Sequence, residues 1–112
     1  MEIDARYECL RPVFQDMVDQ IQKGKGLKQH GSDVKFEDQH TWKYMQLCGP
    51  GGPLFQMFKK ATEAMERMEG EAQYQELIGA LNYGVFAAMI LKKGLDPVNR
   101  LVEEGAFEGI NT

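Results

Sequence analysis

The sequence has little cysteine and no excess of positive charge. Its 112 residues contain two cysteines and carry a formal net charge of −4. Cys9 and Cys48 stand in no ligand-like spacing, so we interpret them as reduced, small apolar residues rather than a disulfide or a zinc site. The acidic balance argues against general nucleic-acid binding. What remains is an ordinary globular composition, and at this length we expect one domain over residues 1–112.

The sequence also lacks a targeting segment and a run long enough to cross a membrane. Glu2, Asp4 and Arg6 interrupt any apolar stretch that a signal peptide would need. The longest apolar run, 77–91, is shorter than the roughly 20 residues that a membrane-spanning helix requires. We therefore expect a cytoplasmic protein without a membrane partner.

The apolar run Leu77 to Leu91 is the feature around which the fold is predicted. Asn82 is its one strongly polar side chain, and a helix that is apolar on all sides is typical of the centre of a bundle. Gly70 separates it from an amphipathic stretch, and so short a break predicts an antiparallel hairpin. The sequence thus predicts an all-α bundle of four or five helices, centred on a hairpin of residues 54–69 and 71–93.

The periodicity of the remaining segments supplies the other predicted helices. Pro12 interrupts the first amphipathic pattern, because a proline inside a helix removes a backbone hydrogen bond. Either one short helix ends near Leu10 and a second begins at Pro12, or one helix is kinked there. A helix is predicted from Glu37 to Cys48 with Asp38 as its N-cap, and a short one after Asp96. In the first hairpin helix we expect one face to point inward and to be widened by Met57 and Ala64. Its members are Leu54, Phe58, Ala61, Met65 and Met68, with Lys59, Lys60, Glu63, Glu66 and Arg67 facing outward.

The segment from Lys23 to Lys35 is the most basic part of the chain and is rich in glycine. Flexible backbone amides and lysine side chains can bind an anion, although a solvated surface loop explains the same composition. The polar and aromatic residues that follow are typical of binding surfaces. The predicted ligand-binding residues are Lys23, Lys25, Lys28, His30, Lys35, His40, Trp42, Asn82 and Tyr83.

Asn82 has two interpretations. A buried amide must find hydrogen-bond partners, so it can fix the register of a helix pair or of two subunits. Alternatively, Asn82 and Tyr83 face a pocket and contact a ligand. A stripe of small residues on the same helix, Ala80, Gly84 and Ala88, favours close helix packing and predicts a homo-oligomer, most simply a dimer.

Paired glutamates suggest a metal site. Glu63 and Glu66 stand three residues apart, a spacing that lets two carboxylates hold magnesium. With Glu76 on the following helix, the layout resembles the all-α MazG-like nucleotide pyrophosphohydrolases, which bind magnesium through an ExxE and an ExxD pair. The resemblance implies that Glu63, Glu66 and Glu76 are metal ligands and that nucleoside triphosphates are the substrates. It covers about a third of the chain, and Gly79 stands where the second motif has its aspartate.

Three functions are therefore open from the sequence. The first is a non-enzymatic binding or inhibitor-type protein without a cofactor, similar in size to those that phages encode, which engages an anionic, nucleotide-like ligand or a protein partner. It is favoured because no serine, cysteine or histidine stands in a nucleophile motif. The second is a magnesium-dependent pyrophosphohydrolase that takes a further carboxylate from a neighbouring subunit. The third is a structural subunit of an oligomer.

Overall fold

The protein folds as an all-α bundle. A computed structural model describes residues 1–23 and 34–95. These contain the helices α1 (Arg11–Lys23), α2 (His40–Cys48), α3 (Gly51–Arg67) and α4 (Gly70–Gly94), with 3₁₀ turns at Ala5–Leu10 and Phe36–Asp38. The described ranges hold no strand, and none of their helices is long and apolar enough to span a bilayer. The helix predicted after Asp96 lies outside the described residues.

Helices α3 and α4 form the predicted antiparallel hairpin, which is the main helix contact of the fold. Met68 and Glu69 are extended, and Gly70 has a φ of 63°, a conformation that strains any residue with a side chain. Gln73 Nε2 donates to the carbonyl oxygen of Ala64 at 3.2 Å. This bond satisfies one of the carbonyls that the end of α3 leaves without a helical partner.

The first amphipathic pattern divides near Pro12. Asp4 caps the 3₁₀ turn by accepting from the Arg6 backbone amide at 2.9 Å, and α1 begins at Arg11. Pro12 is therefore in the first turn of α1, where its missing N–H costs no helical hydrogen bond. The sequence allowed either two helices or one kinked helix. The structure has two helical segments, and the first of them, Ala5–Leu10, is a 3₁₀ helix.

Helix α1 is attached to α4 through polar bonds and has no fully buried residue. The Tyr74 hydroxyl donates to Asp16 Oδ2 at 2.5 Å. Only the protonated phenol can donate this bond, so the bond raises the pKa of Tyr74 above its ordinary value. Three further hydrogen bonds join α1 to Gln75 and Asn82 of α4.

The start of α2 differs from the prediction. Asp38 does not cap a helix beginning at Glu37, because it lies in the 3₁₀ turn and the extended Gln39 precedes the helix. The reason is a tertiary contact: the turn places the Phe36 ring 5.1 Å from that of Trp42 and 5.3 Å from that of Phe86 on α4. Aromatic packing thus decides where this helix begins.

The inward face of α3 is also rotated from the predicted one. Phe58 and Met65, which were expected in the core, are 65% and 68% exposed, whereas Ala64, which was expected to widen that face, is fully buried. Lys60, which was expected to face solvent, is partly buried against α4. Small side chains let the two helices approach closely, so the contact runs through Ala64 rather than through the largest apolar residues.

The composition of α4 predicted a helix that is covered on every side. The structure places α4 at the centre of the fold but leaves part of it exposed. Ile78, Ala80, Asn82 and Ala87 are buried. Large apolar side chains that recur every fourth residue are between 37% and 40% exposed at Leu77, Leu81, Val85 and Met89. Three described helices are too few to enclose the whole circumference of α4.

Candidate binding cleft

A cleft of about 670 Å³ lies between α1, the segment from Phe36 to Met45, and the α3–α4 hairpin. This volume is in the range of sites that take small organic ligands. Two of its walls differ in chemistry: one is aromatic, and the other carries amides and an ion pair. The lining residues used below are Gln20, Phe36, Trp42, Lys60, Glu76, Gly79, Asn82, Tyr83 and Phe86.

The aromatic wall is a contiguous cluster of four rings. The Phe86 ring lies 6.1 Å from the Trp42 ring and 5.8 Å from the Tyr83 ring, both in edge-on arrangements, and Phe36 contacts Trp42 and Phe86. Such geometries are the preferred ones for aromatic pairs, so the rings support one another in place. They give the cleft flat apolar surfaces against which a planar ligand could stack.

Asn82 is the buried polar residue among those that line the cleft, and its amide lies in the contact between α1 and α4. Its side chain is 3% exposed, and Nδ2 donates to the Met17 carbonyl oxygen and to Gln20 Oε1, both at 3.1 Å. Both amide hydrogens are thereby used. Oδ1 is buried without a hydrogen-bond partner, a condition that costs about 1–3 kcal/mol when nothing fills it.

Gln20 and a backbone carbonyl fix the orientation of that amide. Gln20 Nε2 donates to the Gln75 carbonyl oxygen at 3.0 Å, so its Oε1 is turned toward Asn82. A backbone carbonyl oxygen can only accept a hydrogen bond. The Gln75 carbonyl therefore fixes the NH₂ group of Gln20, and the Met17 carbonyl fixes the NH₂ group of Asn82. Asn82 therefore presents an acceptor, and not a donor, at its remaining position.

Lys60 and Glu76 form the charged part of the lining. Lys60 Nζ donates to Glu76 Oε1 at 3.0 Å, and the two side chains are 31% and 20% exposed. Lys60 Nζ also lies 6.0 Å from the centre of the Tyr83 ring, within reach of a cation–π contact. Because the two charges are opposite, the pair adds no net charge to the lining of the cleft.

Gly79 keeps this part of the cleft open. A Cβ at position 79 would lie 3.5 Å from Gln20 Oε1 and 3.6 Å from Lys60 Cδ, which is ordinary contact distance. A larger side chain at position 79 would therefore extend between Gln20 and the Lys60–Glu76 ion pair.

The structure brings together only part of the predicted ligand-binding set. Trp42, Asn82 and Tyr83 line the cleft. Lys23, Lys35 and His40 are exposed and do not line it, and Lys23 Nζ lies 3.9 Å from Asp19 Oδ1. The remaining predicted residues, Lys25, Lys28 and His30, lie outside the described residues.

The three glutamates are not gathered into one site. Within residues 1–23 and 34–95, no group of three or more histidine, cysteine or acidic side chains could hold a metal ion. Glu76 is instead paired with Lys60, and Glu66 is exposed on α3. The arrangement of Glu63, Glu66 and Glu76 as magnesium ligands thus receives no geometric support from the chain alone.

The small-residue stripe lies largely inside the chain. Ala80 is 1% exposed, and a Cβ added at Gly84 would lie 2.9 Å from Met57 Sδ of α3. Ala88 alone of the three is exposed. Ala80 and Gly84 are therefore covered by the chain's own helices, while a subunit contact through Ala88 stays a prediction.

Several contributors to the cleft were missed from the sequence, among them Gln20, Phe36, Lys60 and Phe86. One signal could have indicated Lys60. An antiparallel hairpin closed near Gly70 places Lys60 and Glu76 at similar distances from the turn, on facing helices. The other three give no local signal, because their roles depend on how α1 and α2 dock.

Comparison of the chain with protein-family models, with curated proteins and with solved structures finds no match. Function must therefore be inferred from the geometry and chemistry of the cleft.

Proposed function

We propose that this chain is a small non-enzymatic binding protein whose cleft holds the flat ring of a nucleotide-like ligand. The observation that carries the proposal is the cleft itself, whose lining combines a cluster of four aromatic rings with a few polar side chains. Sites for small ligands combine such apolar walls with a few placed polar groups. The volume of about 670 Å³ is sufficient for a nucleoside.

The charges of the cleft support placing the ring, rather than the phosphate, inside it. Glu76 neutralises Lys60 at 3.0 Å, and a phosphate next to this pair would meet the carboxylate as well as the ammonium group. An anionic group of the ligand is better accommodated at the mouth of the cleft, where water screens it from Glu76.

Thermal unfolding with a panel of nucleosides, nucleoside triphosphates and cyclic nucleotides tests this function. Each compound is added with and without magnesium. A ligand at one hundred times its dissociation constant should stabilise the protein by about 2.7 kcal/mol, which raises the unfolding midpoint measurably. We expect a shift that does not need magnesium, with the added compound recovered unchanged.

A pair of leucine substitutions on α4 shows whether the cleft is the site. Gly79→Leu extends a side chain into the cleft between Gln20 and Lys60, so it should abolish the shift. Ala88→Leu makes a comparable change at an exposed position of the same helix, outside the lining, and should preserve it. No shift with any compound, or an equal shift in both variants, contradicts the proposal. Magnesium-dependent turnover contradicts its non-enzymatic part.

A further inference from the structure

The α3–α4 hairpin has a second side, which lies opposite the cleft. Met57 of α3 faces Gly84 of α4, so these two residues mark the line along which the helices touch. Successive residues of a helix are about 100° apart, which places Lys60 about 60° and Glu76 about 80° from that line, each in the same rotational sense. The 3.0 Å bond between Lys60 and Glu76 shows that this sense of rotation leads, on both helices, to the side of the cleft.

The opposite rotation leads to a surface that turns away from the cleft. On α3, Phe58 and Met65 lie about 100° and 80° from the line of contact in this direction. On α4, Leu81 and Val85 lie about 60° and 100° from it. We call this surface the rear face, and its residues are Phe58, Ala61 and Met65 of α3 with Leu77, Leu81, Val85 and Ala88 of α4.

The rear face is apolar and is left uncovered by the described helices. Phe58 and Met65 are 65% and 68% exposed, and Leu77, Leu81 and Val85 are each more than a third exposed. With about 200 Å² for a fully exposed large side chain, these five present about 500 Å² of apolar surface. Helices α1 and α2 contribute to the cleft and therefore pack on the other side of the hairpin.

We propose that the rear face binds a second copy of this chain, so that two α3–α4 hairpins pack together into a four-helix core. Phe55 and Met89, at the borders of the face, raise the exposed apolar surface to about 700 Å². One partner contributes about 800 Å² to a protein interface of standard size, so the face provides most of what a stable dimer needs.

The composition of the rear face favours a second copy over an unrelated protein. Residues 77–91 of α4 contain no charged side chain, and the charged residues of α3 between 58 and 65 lie off the face. Homodimer interfaces are more apolar than those between proteins that also exist apart. A two-fold axis brings such a face against itself, and the apolar side chains of each copy then cover those of the other.

The mass of the full chain in solution and two charged variants test the proposal. We expect twice the mass of one chain at micromolar concentration, with an unfolding midpoint that rises with protein concentration. Phe58→Glu and Met65→Glu should each raise the dissociation constant of the dimer about a hundredfold or more, because a two-fold contact buries the new carboxylate twice. Lys59→Glu, at the exposed neighbouring position off the face, is the matched control and should keep the mass of the dimer.

Each outcome decides the proposal. Monomeric Phe58→Glu and Met65→Glu proteins with unchanged helix content, beside a dimeric control, support it. A monomeric unmodified protein overturns it and leaves the rear face to another occupant, either the chain's own residues 96–112 or a different protein. A dimer that survives both substitutions overturns it as well, since the contact then lies elsewhere. Loss of helix content in both variants would contradict the exposed placement of the two side chains, on which the rear face depends.

The rear face and the cleft can be tested separately, because they lie on opposite sides of the hairpin. Phe58→Glu should keep any shift in unfolding temperature that nucleosides produce in the unmodified protein. A failed dimer therefore leaves the proposed ring binding standing, and a cleft without a ligand leaves the dimer standing.

Discussion

Asn82 and Lys60 are the two residues whose environment sets the chemistry of the cleft. Each is a polar side chain on the contact between helices, and each has a defined partner: Gln20 for Asn82 and Glu76 for Lys60. The charge of Lys60 is paired within the chain, whereas Asn82 Oδ1 has no hydrogen-bond partner. The amide thus keeps one unsatisfied acceptor, and the ion pair joins the two helices of the hairpin.

Replacing Lys60 by Met tests the structural role of the ion pair. The substitution leaves the Glu76 carboxylate partly buried and unpaired, so we expect a loss of about 1–2 kcal/mol, between the values for exposed and fully buried pairs. Urea unfolding measures it. Lys59→Met, at the exposed neighbouring position, is the control and should change stability by less than about 0.5 kcal/mol. Equal effects of both substitutions would show that the pair contributes nothing.

At the scale of elements, small residues line the contact between α3 and α4. Gly84 faces Met57 so tightly that an added Cβ would lie 2.9 Å from its sulfur. Ala64 is fully buried in the same contact between helices. The small residues of α4 thus serve contacts within the chain as well as any contact between chains.

Gly84→Leu should therefore destabilise the hairpin. Overpacking against Met57 costs about 1–3 kcal/mol, offset in part by up to about 1 kcal/mol of helix propensity gained on replacing glycine. Thermal unfolding monitored by circular dichroism measures the change, with the exposed Ala88→Leu as the control. Met57→Ala in the same chain should restore part of the lost stability, because it makes room for the new side chain. A Gly84→Leu protein as stable as the control would refute the close packing.

Sequence periodicity predicted the hairpin and its glycine turn but not the rotation of α3. Phe58 and Met65 share the expected apolar face with Leu54, yet they are exposed, because Ala64 and Met57 allow the helices to come closer. Periodicity identifies which residues share a face. It does not decide which edge of that face another helix will contact.

At the scale of the whole molecule, the exposed apolar face of α4 bears on self-association. Four large apolar side chains of this helix are between 37% and 40% exposed, and α1 contributes Val13, Phe14 and Val18 to the exposed apolar surface. The four side chains of α4 recur every fourth residue and form one apolar stripe, and exposed apolar patches are typical of proteins that contact a partner. The homo-oligomer predicted from the sequence stays a prediction, but the surface available for it is wider than the small-residue stripe.

Light scattering at micromolar concentration tests that prediction. We expect the mass of a dimer or a larger oligomer, and a shift toward the monomer mass on Leu81→Lys, which places a charge in the middle of the exposed face of α4. Lys59→Met, on the exposed side of α3, is the control for changes of surface charge. A monomeric mass of the unmodified protein would contradict self-association.

The sequence by itself determined the helical class, the hairpin around Gly70 and the buried place of Asn82, because these depend on local periodicity, on glycine and on the polarity of single residues. It also pointed to Trp42, Asn82 and Tyr83, which the structure brings to one cleft. The tertiary structure alone decided that Lys60 pairs with Glu76 and that Gln20 orients Asn82. Both contacts join residues of different helices, and their geometry follows from how the helices dock rather than from any pattern along the chain.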